Sequence, residues 1–319
     1  MMAGDPSTPY ALTVSPTGMR VVRCGKDDQR GRGPAEPLLA WLRAQLGSRT
    51  VVSAIRSLHG GESPWWIDLT ASDGSTSSAV LRCPSSRILS DQIATNAAAL
   101  AVCETHGLPA PCLIGADLDG RVAGTAATLE TVVPGTSTWP AAPSAELFRA
   151  AGAVLARVHT VILDPQPQLP FRPRPIAVDD FAGDRRAGRM PTTALLQRAD
   201  ERVQAIRHPD VPVVLVHGDV WPGNTVVAGG GIRALIDWKT AGVGNPGVDL
   251  GELRKQVAIR YGDGAAGHVV EGWERAGGAR ADDIPYWDAV AALNTPTESY
   301  SRSATLRRDA FLRAAIAHL

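Results

Sequence analysis

The chain has 319 residues, of which 44% are hydrophobic, and its formal net charge is zero. This length suffices for one large domain or for two lobes with their own cores. The balanced charge argues against a nucleic-acid-binding protein, and no apolar run approaches the roughly 20 residues of a membrane helix. The N-terminus lacks the basic start and apolar segment of a signal peptide, so we expect a cytoplasmic protein.

The four cysteines argue against disulfides and against a structural metal site. They are Cys24, Cys83, Cys103 and Cys112. They form no C-x-x-C pair, and no histidine accompanies them at zinc-like spacing. In a reducing compartment we therefore expect free thiols, not disulfides or a structural metal site.

The first part of the chain predicts a loosely attached segment followed by a small sheet. Residues 1–34 mix Gly, Pro, Asp and Arg with little periodicity, which is typical of a mobile segment. Glu36–Leu46 has an apolar face at helical spacing. Short apolar runs separated by Gly-rich turns then predict antiparallel strands. The predicted strands cover 51–58, 65–70, 79–83, 108–114 and 123–133, and a helix covers 91–106.

A break over 134–143, rich in Pro and Gly, separates this sheet from a mostly helical remainder. A strand–loop–strand block over 212–237 is the exception. The sequence therefore predicts an α+β fold made of a mobile segment (1–34), a sheet-rich N-lobe (35–133) and a helical C-lobe (134–319). The predicted helices of the C-lobe cover 144–161, 192–207, 250–260, 266–276, 286–293 and 306–318.

The strand–loop–strand block contains the residues with the clearest chemistry. Asp219 and Asn224 follow one apolar run, and Asp237 ends the next. The glycines at 229–231 predict a hairpin that brings Asn224 and Asp237 to the same edge. Phosphoryl transfer from a nucleotide requires a carboxylate to orient a hydroxyl and oxygen ligands for Mg²⁺. Asp and Asn are also ordinary turn residues, so it is their combination at two strand ends that favours the functional interpretation.

Three motifs carry a family resemblance: His217-Gly-Asp219-x4-Asn224, Ile236-Asp237-Trp238 and Gly247-Val-Asp249-Leu250. They resemble those of the aminoglycoside phosphotransferase and choline kinase-like family, and the likeness covers roughly residues 50–315. The resemblance implies a bilobal, protein-kinase-like fold. It makes Asp219 the catalytic base and Asn224 and Asp237 the Mg²⁺ ligands. It also implies that His217 and Asp249 support the catalytic loop.

The resemblance also covers the residues that would bind the nucleotide phosphates. Gly60, Gly61 and Ser63 match the turn that covers them, where glycine allows close approach of backbone N–H groups. Arg82 stands where kinases place a phosphate-binding lysine, and its guanidinium can grip phosphate. Asn96 stands where the family usually has a glutamate that pairs with this cation. We therefore expect Arg82 to lack its usual partner.

Further expectations concern the adenine and the acceptor. The resemblance implies that Glu130 and Val132 fall in the linker between the lobes, whose backbone would contact adenine. Lys239 either contacts phosphate or is solvated. A cationic acceptor needs a carboxylate-lined pocket, and aromatic side chains would suit a partly apolar acceptor; a solvated helix face with buried anchors explains the same residues equally well. The candidate acceptor residues are Glu271, Glu274, Asp282, Asp283, Asp288, Glu298, Trp273, Tyr286, Trp287 and Tyr300.

The leading hypothesis is a small-molecule kinase, a monomer or homodimer that interacts with neither nucleic acid nor membrane. It would use ATP and Mg²⁺ to phosphorylate a hydroxyl of a small acceptor such as an aminoglycoside or other antibiotic, an amino alcohol or a sugar. Two alternatives belong to other classes. Asn96 motivates a non-catalytic nucleotide-binding module, or pseudokinase. His217 and Asp219, two residues apart, motivate a metal-dependent hydrolase.

Overall fold

The computed structural model describes residues 12–13, 20–21, 33–206, 213–277, 281 and 283–319. Most of the segment predicted to be mobile, 1–34, lies outside these residues. Within it, two short strands are described, β1 (Leu12–Thr13) and β2 (Arg20–Val21), which pair in antiparallel fashion.

An antiparallel sheet forms the first lobe, with its strands in the order β3-β4-β5-β7-β6. Ile67, Leu81 and Leu129 face one side and are buried against Leu42 of helix α1 (Glu36–Leu46). This alternation of buried residues is what a sheet with one covered face requires. The strands are β3 (Thr50–His59), β4 (Glu62–Ala71), β5 (Thr76–Arg82), β6 (Leu113–Asp117) and β7 (Ala127–Thr131).

Helix α2 (Ser90–Thr105) connects the sheet with the second lobe. Its Leu100 and Cys103 are buried in the core of that lobe. The helix also packs against β6 and β7 and against a 3₁₀ turn, Trp238–Thr240. It therefore lies between the sheet and the segment that carries Asp237.

Helices dominate the second lobe, and two of them approach unusually closely. A Cβ atom on Gly152 would lie 1.9 Å from the Val269 carbonyl oxygen, and one on Gly272 would lie 2.0 Å from the Arg149 carbonyl oxygen. Glycine at both positions thus brings the backbones of α3 and α7 into contact. The helices are α3 (Ala145–Val158), α4 (Phe181–Arg186), α5 (Ala194–Ala205), α6 (Gly247–Tyr261), α7 (Asp263–Gly277), α8 (Ile284–Leu293) and α9 (Arg302–Ile316).

Two small antiparallel pairs interrupt these helices. Strand β8 (Val214–Val216) pairs with β11 (Gly242–Gly244). Strands β9 (Thr225–Ala228) and β10 (Gly231–Leu235) form a hairpin. The structure thus contains the predicted hairpin, and its turn lies at Gly229 and Gly230.

The predicted α+β, bilobal fold is confirmed, with local differences. The strand predicted over 108–114 begins only at Leu113, because Pro109 and Pro111 lack the N–H groups that a ladder needs. Helix α4 was not predicted, and α9 begins before the predicted 306–318, capped by the Ser301 hydroxyl. Cys83, Cys103 and Cys112 are free thiols. In the part of the chain that is described, no helix combines the length and apolar character needed to cross a membrane.

Candidate active site

The loop after β8 presents the central acidic residue. Strand β8 is fully buried, and Gly218 follows with a φ of +80°. A Cβ atom on Gly218 would lie 2.4 Å from the Thr240 carbonyl oxygen, so only glycine fits. The sharp turn here directs the chain out of the core, and Asp219 is half-buried at the exit.

The buried carboxylate of Asp249, on α6, holds this loop. It accepts hydrogen bonds from the backbone N–H groups of His217 and Gly218, each at 2.8 Å. His159 Nε2 lies 3.1 Å from the same carboxylate, and Trp273 Nε1 donates to His159 Nδ1 at 2.9 Å. The tryptophan therefore fixes the tautomer in which His159 donates to Asp249. Burial alone would raise the pKa of Asp249, but His159 and His217 hold it below its ordinary value.

His217 is a structural residue of the loop. Its Nε2 lies 2.9 Å from the Ile236 carbonyl oxygen, and its Nδ1 accepts from the Asp219 N–H at 3.3 Å. Burial lowers the pKa of His217, and its ring packs on Trp238 with centroids 4.6 Å apart. Both ring nitrogens are thus engaged, and the described residues contain no cluster of three His, Cys, Asp or Glu side chains suited to a metal. The hydrolase alternative therefore loses its proposed histidine ligand.

Asp219 and Asn224 are in direct contact. Asn224 Nδ2 donates to the Asp219 carbonyl oxygen at 2.8 Å and to its carboxylate Oδ2 at 3.2 Å. These bonds orient the amide so that its Oδ1 has no hydrogen-bond partner among the described residues. Burial raises the pKa of Asp219 to about 6, with Lys239 opposing the shift and Glu252 adding to it.

Asp237 lies beside Asn224 at the open end of the β9–β10 hairpin. The Ile236 N–H donates to the Asn224 carbonyl oxygen at 2.9 Å, which ties the two chain segments together. Asp237 has a left-handed backbone, with φ of +67°. Its carboxylate pairs with Arg82 Nη1 at 2.9 Å and with Lys239 Nζ. Burial alone would raise the pKa of Asp237, but Lys239 and Arg82 lower it.

Arg82 reaches this site from the end of β5. It is buried, and its Nε donates to the carboxylate of Glu130 on β7. Asn96, on α2, is fully buried, and neither of its side-chain polar atoms has a hydrogen-bond partner among the described residues. As expected from Asn96, Arg82 has no carboxylate partner on α2 among the described residues. The carboxylate of Glu130 on the neighbouring strand pairs with it instead, which the sequence did not predict.

The β3–β4 turn lies near these charges. Gly60 and Gly61 form its tip, and the pKa of His59 is lowered by desolvation and Arg87 and also responds to Asp237. The Ser63 hydroxyl accepts a hydrogen bond from the Cys83 N–H at 2.9 Å inside the sheet. The glycines are thus at the site edge, whereas the hydroxyl of Ser63 is occupied within the N-lobe.

Comparison with known proteins identifies the family. A family model described as the phosphotransferase enzyme family matches residues 54–293. The chain belongs to the phosphotransferase enzyme family. Among proteins with curated functions, no significant sequence match was found.

Solved structures with the same fold include phosphotransferases and a kinase of small molecules. Macrolide 2'-phosphotransferase MphH from Brachybacterium faecium is 21% identical, with 86% of this chain and 97% of that chain covered and a TM-score of 0.56. Amicoumacin kinase hAmiN, in complex with AMP-PNP, Ca²⁺ and Ami, is 16% identical, with 89% and 94% covered and a TM-score of 0.59. A thermostable mutant of aminoglycoside phosphotransferase APH(4)-Ia, with ADP and hygromycin B, is 18% identical, with 86% and 97% covered and a TM-score of 0.57.

The family match confirms the predicted family and a phosphotransferase, and the solved structures confirm the bilobal kinase-like fold. At such low identity the solved structures establish the fold alone. The roles of individual residues in this phosphotransferase therefore rest on the geometry of the site.

Three of the six carboxylates considered for the acceptor pocket of this phosphotransferase are engaged within the protein. Glu271 pairs with Arg149 at 2.8 Å, and Asp288 is buried against Arg254, with both contacts at 2.9 Å. Glu274 accepts a hydrogen bond from the Ala281 N–H at 3.0 Å. Glu298 is exposed, and Asp282 lies outside the described residues.

The aromatic candidates divide between core and surface. Trp273 is buried on His159, and Trp287 packs edge-on against Tyr286, with centroids 5.1 Å apart. Tyr300 is exposed. Trp273 and Trp287 are thus the buried anchors of the alternative interpretation, in which these helix faces do not form the acceptor pocket.

Sequence reasoning missed two contributors to the phosphotransferase site. One is His159, which follows directly after α3 and holds Asp249. The other is Arg260, which covers the ring of Trp221 in the loop after β8, 5.1 Å from its centroid. The His-Asp and Arg-Trp pairs each join distant parts of the chain, so local patterns carry no signal for them.

Proposed function

We propose that this protein is a small-molecule kinase that transfers the γ-phosphate of ATP to a hydroxyl of a small acceptor. The observation that carries the proposal is the meeting of Asp219, Asn224 and Asp237 at one end of the β9–β10 hairpin, beside Arg82 and Lys239. A base, two oxygen ligands and two cations are what transfer between a nucleotide and an alcohol requires.

In this proposal Asp219 orients the acceptor hydroxyl and takes its proton. A pKa near 6 leaves its carboxylate ionised at neutral pH and makes it a stronger proton acceptor than an ordinary aspartate. Asn224 holds the carboxylate in one orientation through its Nδ2. Positioning the hydroxyl in line with the γ-phosphate is the larger contribution to the rate.

The donor set suits Mg²⁺. Asn224 Oδ1 is free of hydrogen bonds among the described residues, and Asp237 offers carboxylate oxygens beside it. Oxygen ligands of this kind are those that Mg²⁺ prefers, with phosphates and water completing its shell. The cation would neutralise negative charge on the phosphates when bound. The presence of AMP-PNP and Ca²⁺ with amicoumacin kinase hAmiN is consistent with this use of the site.

The N-lobe, residues 35–133, would bind the nucleotide, with residues 134–319 providing the catalytic loop and acceptor pocket. Gly60 would offer its backbone N–H group to the phosphates, and Arg82 would contact them directly. The Gly61 N–H already donates to the Ser57 hydroxyl at 3.0 Å, so Gly61 would contribute only a close approach of the backbone. The backbone of Val132, just beyond the end of β7, would face adenine, whereas Glu130 lies within β7 and pairs with both β5 and β6.

The acceptor in this proposal is a small hydroxylated compound, such as an antibiotic, an amino alcohol or a sugar. The proteins of similar fold named above are a macrolide phosphotransferase, an amicoumacin kinase and an aminoglycoside phosphotransferase with bound hygromycin B. Since Glu271, Glu274 and Asp288 are engaged within the protein, they do not by themselves favour a polycationic acceptor.

The test is acceptor-dependent release of ADP from ATP and Mg²⁺. A panel of macrolides, aminoglycosides, amino alcohols and sugars is assayed with the wild type, with Asp219→Ala and with Asp119→Ala, an exposed control. We expect release with one acceptor class, a loss of at least about 10³-fold in Asp219→Ala, and no change in Asp119→Ala. Binding of ATP with no acceptor-dependent release across a broad panel would instead favour the non-catalytic nucleotide-binding module.

A further inference from the structure

The guanidinium of Arg82, at the junction of the two lobes, has two carboxylate partners. Arg82 donates from Nε to Glu130 and from Nη1 to Asp237, at 2.9 Å in the second case. Burial alone would lower the pKa of Arg82, but Glu130 and Asp237 raise it. The guanidinium is therefore permanently charged and held from two sides.

The third nitrogen of Arg82 remains available. Among the described residues, Nη2 has no hydrogen-bond partner, although the side chain as a whole is buried. Unlike the side-chain amide of Asn96, Nη2 is not fully enclosed, so a ligand can reach it. A phosphate oxygen of the nucleotide would satisfy it with a charge-assisted hydrogen bond.

The two carboxylates differ in what else they bind. Asp237 also pairs with Lys239 and lies beside Asn224 at the proposed metal site. Glu130 is 2% exposed, and in the described part of the chain its carboxylate pairs with no residue except Arg82. A ligand that binds the Asp237 carboxylate competes with its ion pair to Arg82, whereas the ion pair between Glu130 and Arg82 is unaffected.

Helix α2 contributes no charge to this arrangement. Asn96 is the residue that the family resemblance aligns with the usual acidic partner, and it is buried with both polar atoms unpaired. Glu130 and Arg82 lie on adjacent strands, where Val80 faces Glu130 and Arg82 faces Thr128 in the ladder. The side chains of Arg82 and Glu130 therefore project from the same face of the sheet, one ladder step apart.

We propose that Glu130 is the positioning residue of the phosphate clamp: its carboxylate fixes Arg82 so that Nη2 points to the nucleotide phosphates, in place of a carboxylate on α2. The inference rests on the proposed function, because it assigns Arg82 to the nucleotide. It gives the side chain of Glu130 a role separate from that of its backbone.

The first experiment measures binding of AMP-PNP by calorimetry, with and without Mg²⁺. We expect Glu130→Gln to raise the Kd by about ten-fold or more, since it removes the charge that holds the guanidinium but keeps the shape. Glu104→Gln, which removes an exposed carboxylate of α2, is the matched control and should leave the Kd unchanged. In turnover assays KM for ATP should rise more than kcat falls.

The second experiment separates an effect through Arg82 from a direct one. In an Arg82→Ala background, Glu130→Gln should change the Kd by less than about two-fold, because the group it positions is gone. The double variant Asn96→Glu with Glu130→Gln moves the carboxylate to α2 and should recover most of the lost affinity. A merely structural role of Glu130 would produce neither result.

The outcomes distinguish this inference from the proposed function. If the wild type does not bind AMP-PNP, the proposed function fails. The coupling between Arg82 and Glu130 is then measured by thermal unfolding of the wild type, Glu130→Gln, Arg82→Ala and the double variant. Additive losses of stability would show that the two residues are not coupled and would overturn the positioning role. If the wild type binds and Glu130→Gln binds equally well, the positioning role is wrong. Equal losses in the wild-type and Arg82→Ala backgrounds would also overturn it. Should Glu130→Gln not fold, failure of Asn96→Glu to restore folding and affinity would count against the proposal.

Discussion

The two polar clusters that meet at the active site are organised in opposite ways. In the catalytic-loop network (His159, His217, Gly218, Asp249 and Trp273), both Asp249 oxygens and both nitrogens of each histidine have partners. Beside Arg82, by contrast, buried polar atoms of Glu130 and of Thr128, the partner of Arg82 in the ladder, have no hydrogen-bond partner among the described residues.

This difference separates a preset part of the site from an adjustable one. A fully satisfied buried network specifies a single arrangement, because every departure leaves a polar group unpaired. A cluster that depends on charge pairs and contains unpaired groups can rearrange at less cost. We therefore interpret the catalytic loop as preorganised and the Arg82 cluster as the part that adjusts to the nucleotide.

The largest effect is expected where the satisfied network is broken. Asp249→Asn replaces one accepting oxygen with an NH₂ group that faces backbone N–H donors of the loop. We expect a loss of about 3 kcal/mol in the free energy of unfolding and at least about 100-fold in kcat. Urea denaturation and ADP release measure the two quantities.

The matched control is Asp288→Asn, which alters a buried carboxylate bound to Arg254 away from the loop. Asp288→Asn should lower the free energy of unfolding by a similar amount, while kcat per folded molecule stays at the wild-type value. Undiminished turnover in Asp249→Asn would show that the loop does not need this network.

A smaller effect is expected at Asp219, where function opposes stability. Its pKa of about 6 lies above the ordinary value of 3.8, so the protein loses stability as the pH rises and this carboxyl ionises. Asp219→Asn removes that cost and should stabilise the protein by about 2 kcal/mol at pH 8. Melting temperatures in EDTA from pH 4 to 8 test this.

The pH dependence is the decisive feature of this prediction. The advantage of Asp219→Asn should shrink as the pH falls through 6 and disappear near 4, while the exposed control Asp119→Asn follows the wild type at every pH. A constant difference, or a destabilised Asp219→Asn protein at pH 8, would contradict a raised pKa.

The smallest effect concerns two buried asparagines with opposite surroundings. Asn96 has no side-chain hydrogen bond among the described residues, whereas Asn294 donates to Pro175 O at 2.6 Å and accepts from Phe181 N at 3.2 Å. Asn96→Leu should therefore stabilise the protein by about 1 kcal/mol, and Asn294→Leu should destabilise it by about 2 kcal/mol. Chemical denaturation measures both; equal losses would mean that the amide of Asn96 is satisfied after all.

The sequence could predict the part of the site that is built locally. Asp219, Asn224 and Asp237 lie within one strand–hairpin segment, so apolar runs and a glycine turn suffice to bring Asn224 and Asp237 together. Helix α1 was predicted with its observed bounds for a similar reason, since a single apolar face and a terminal glycine define it.

The sequence could not predict the contacts that depend on tertiary structure. The Arg82–Glu130 pair requires the register of β5 against β7, and the predicted strand over 123–133 was too long to define it. The contact between His159 and Asp249 joins helices 90 residues apart. Such contacts follow from packing between elements and leave no periodic signal in the chain.

The hairpin between Asn224 and Asp237 also offers a point of attachment for a reporter. Its turn at Gly229 and Gly230 is exposed, at the opposite end of the hairpin from the reacting groups, and an added side chain there would meet no neighbouring atom within 4 Å. Exposed turn tips are the sites at which proteins best tolerate inserted sequence. A short peptide carrying an environment-sensitive dye could be inserted between these glycines, on the hairpin that bears Asn224 and Asp237. A change in its fluorescence would then report the binding of ligands to the enzyme.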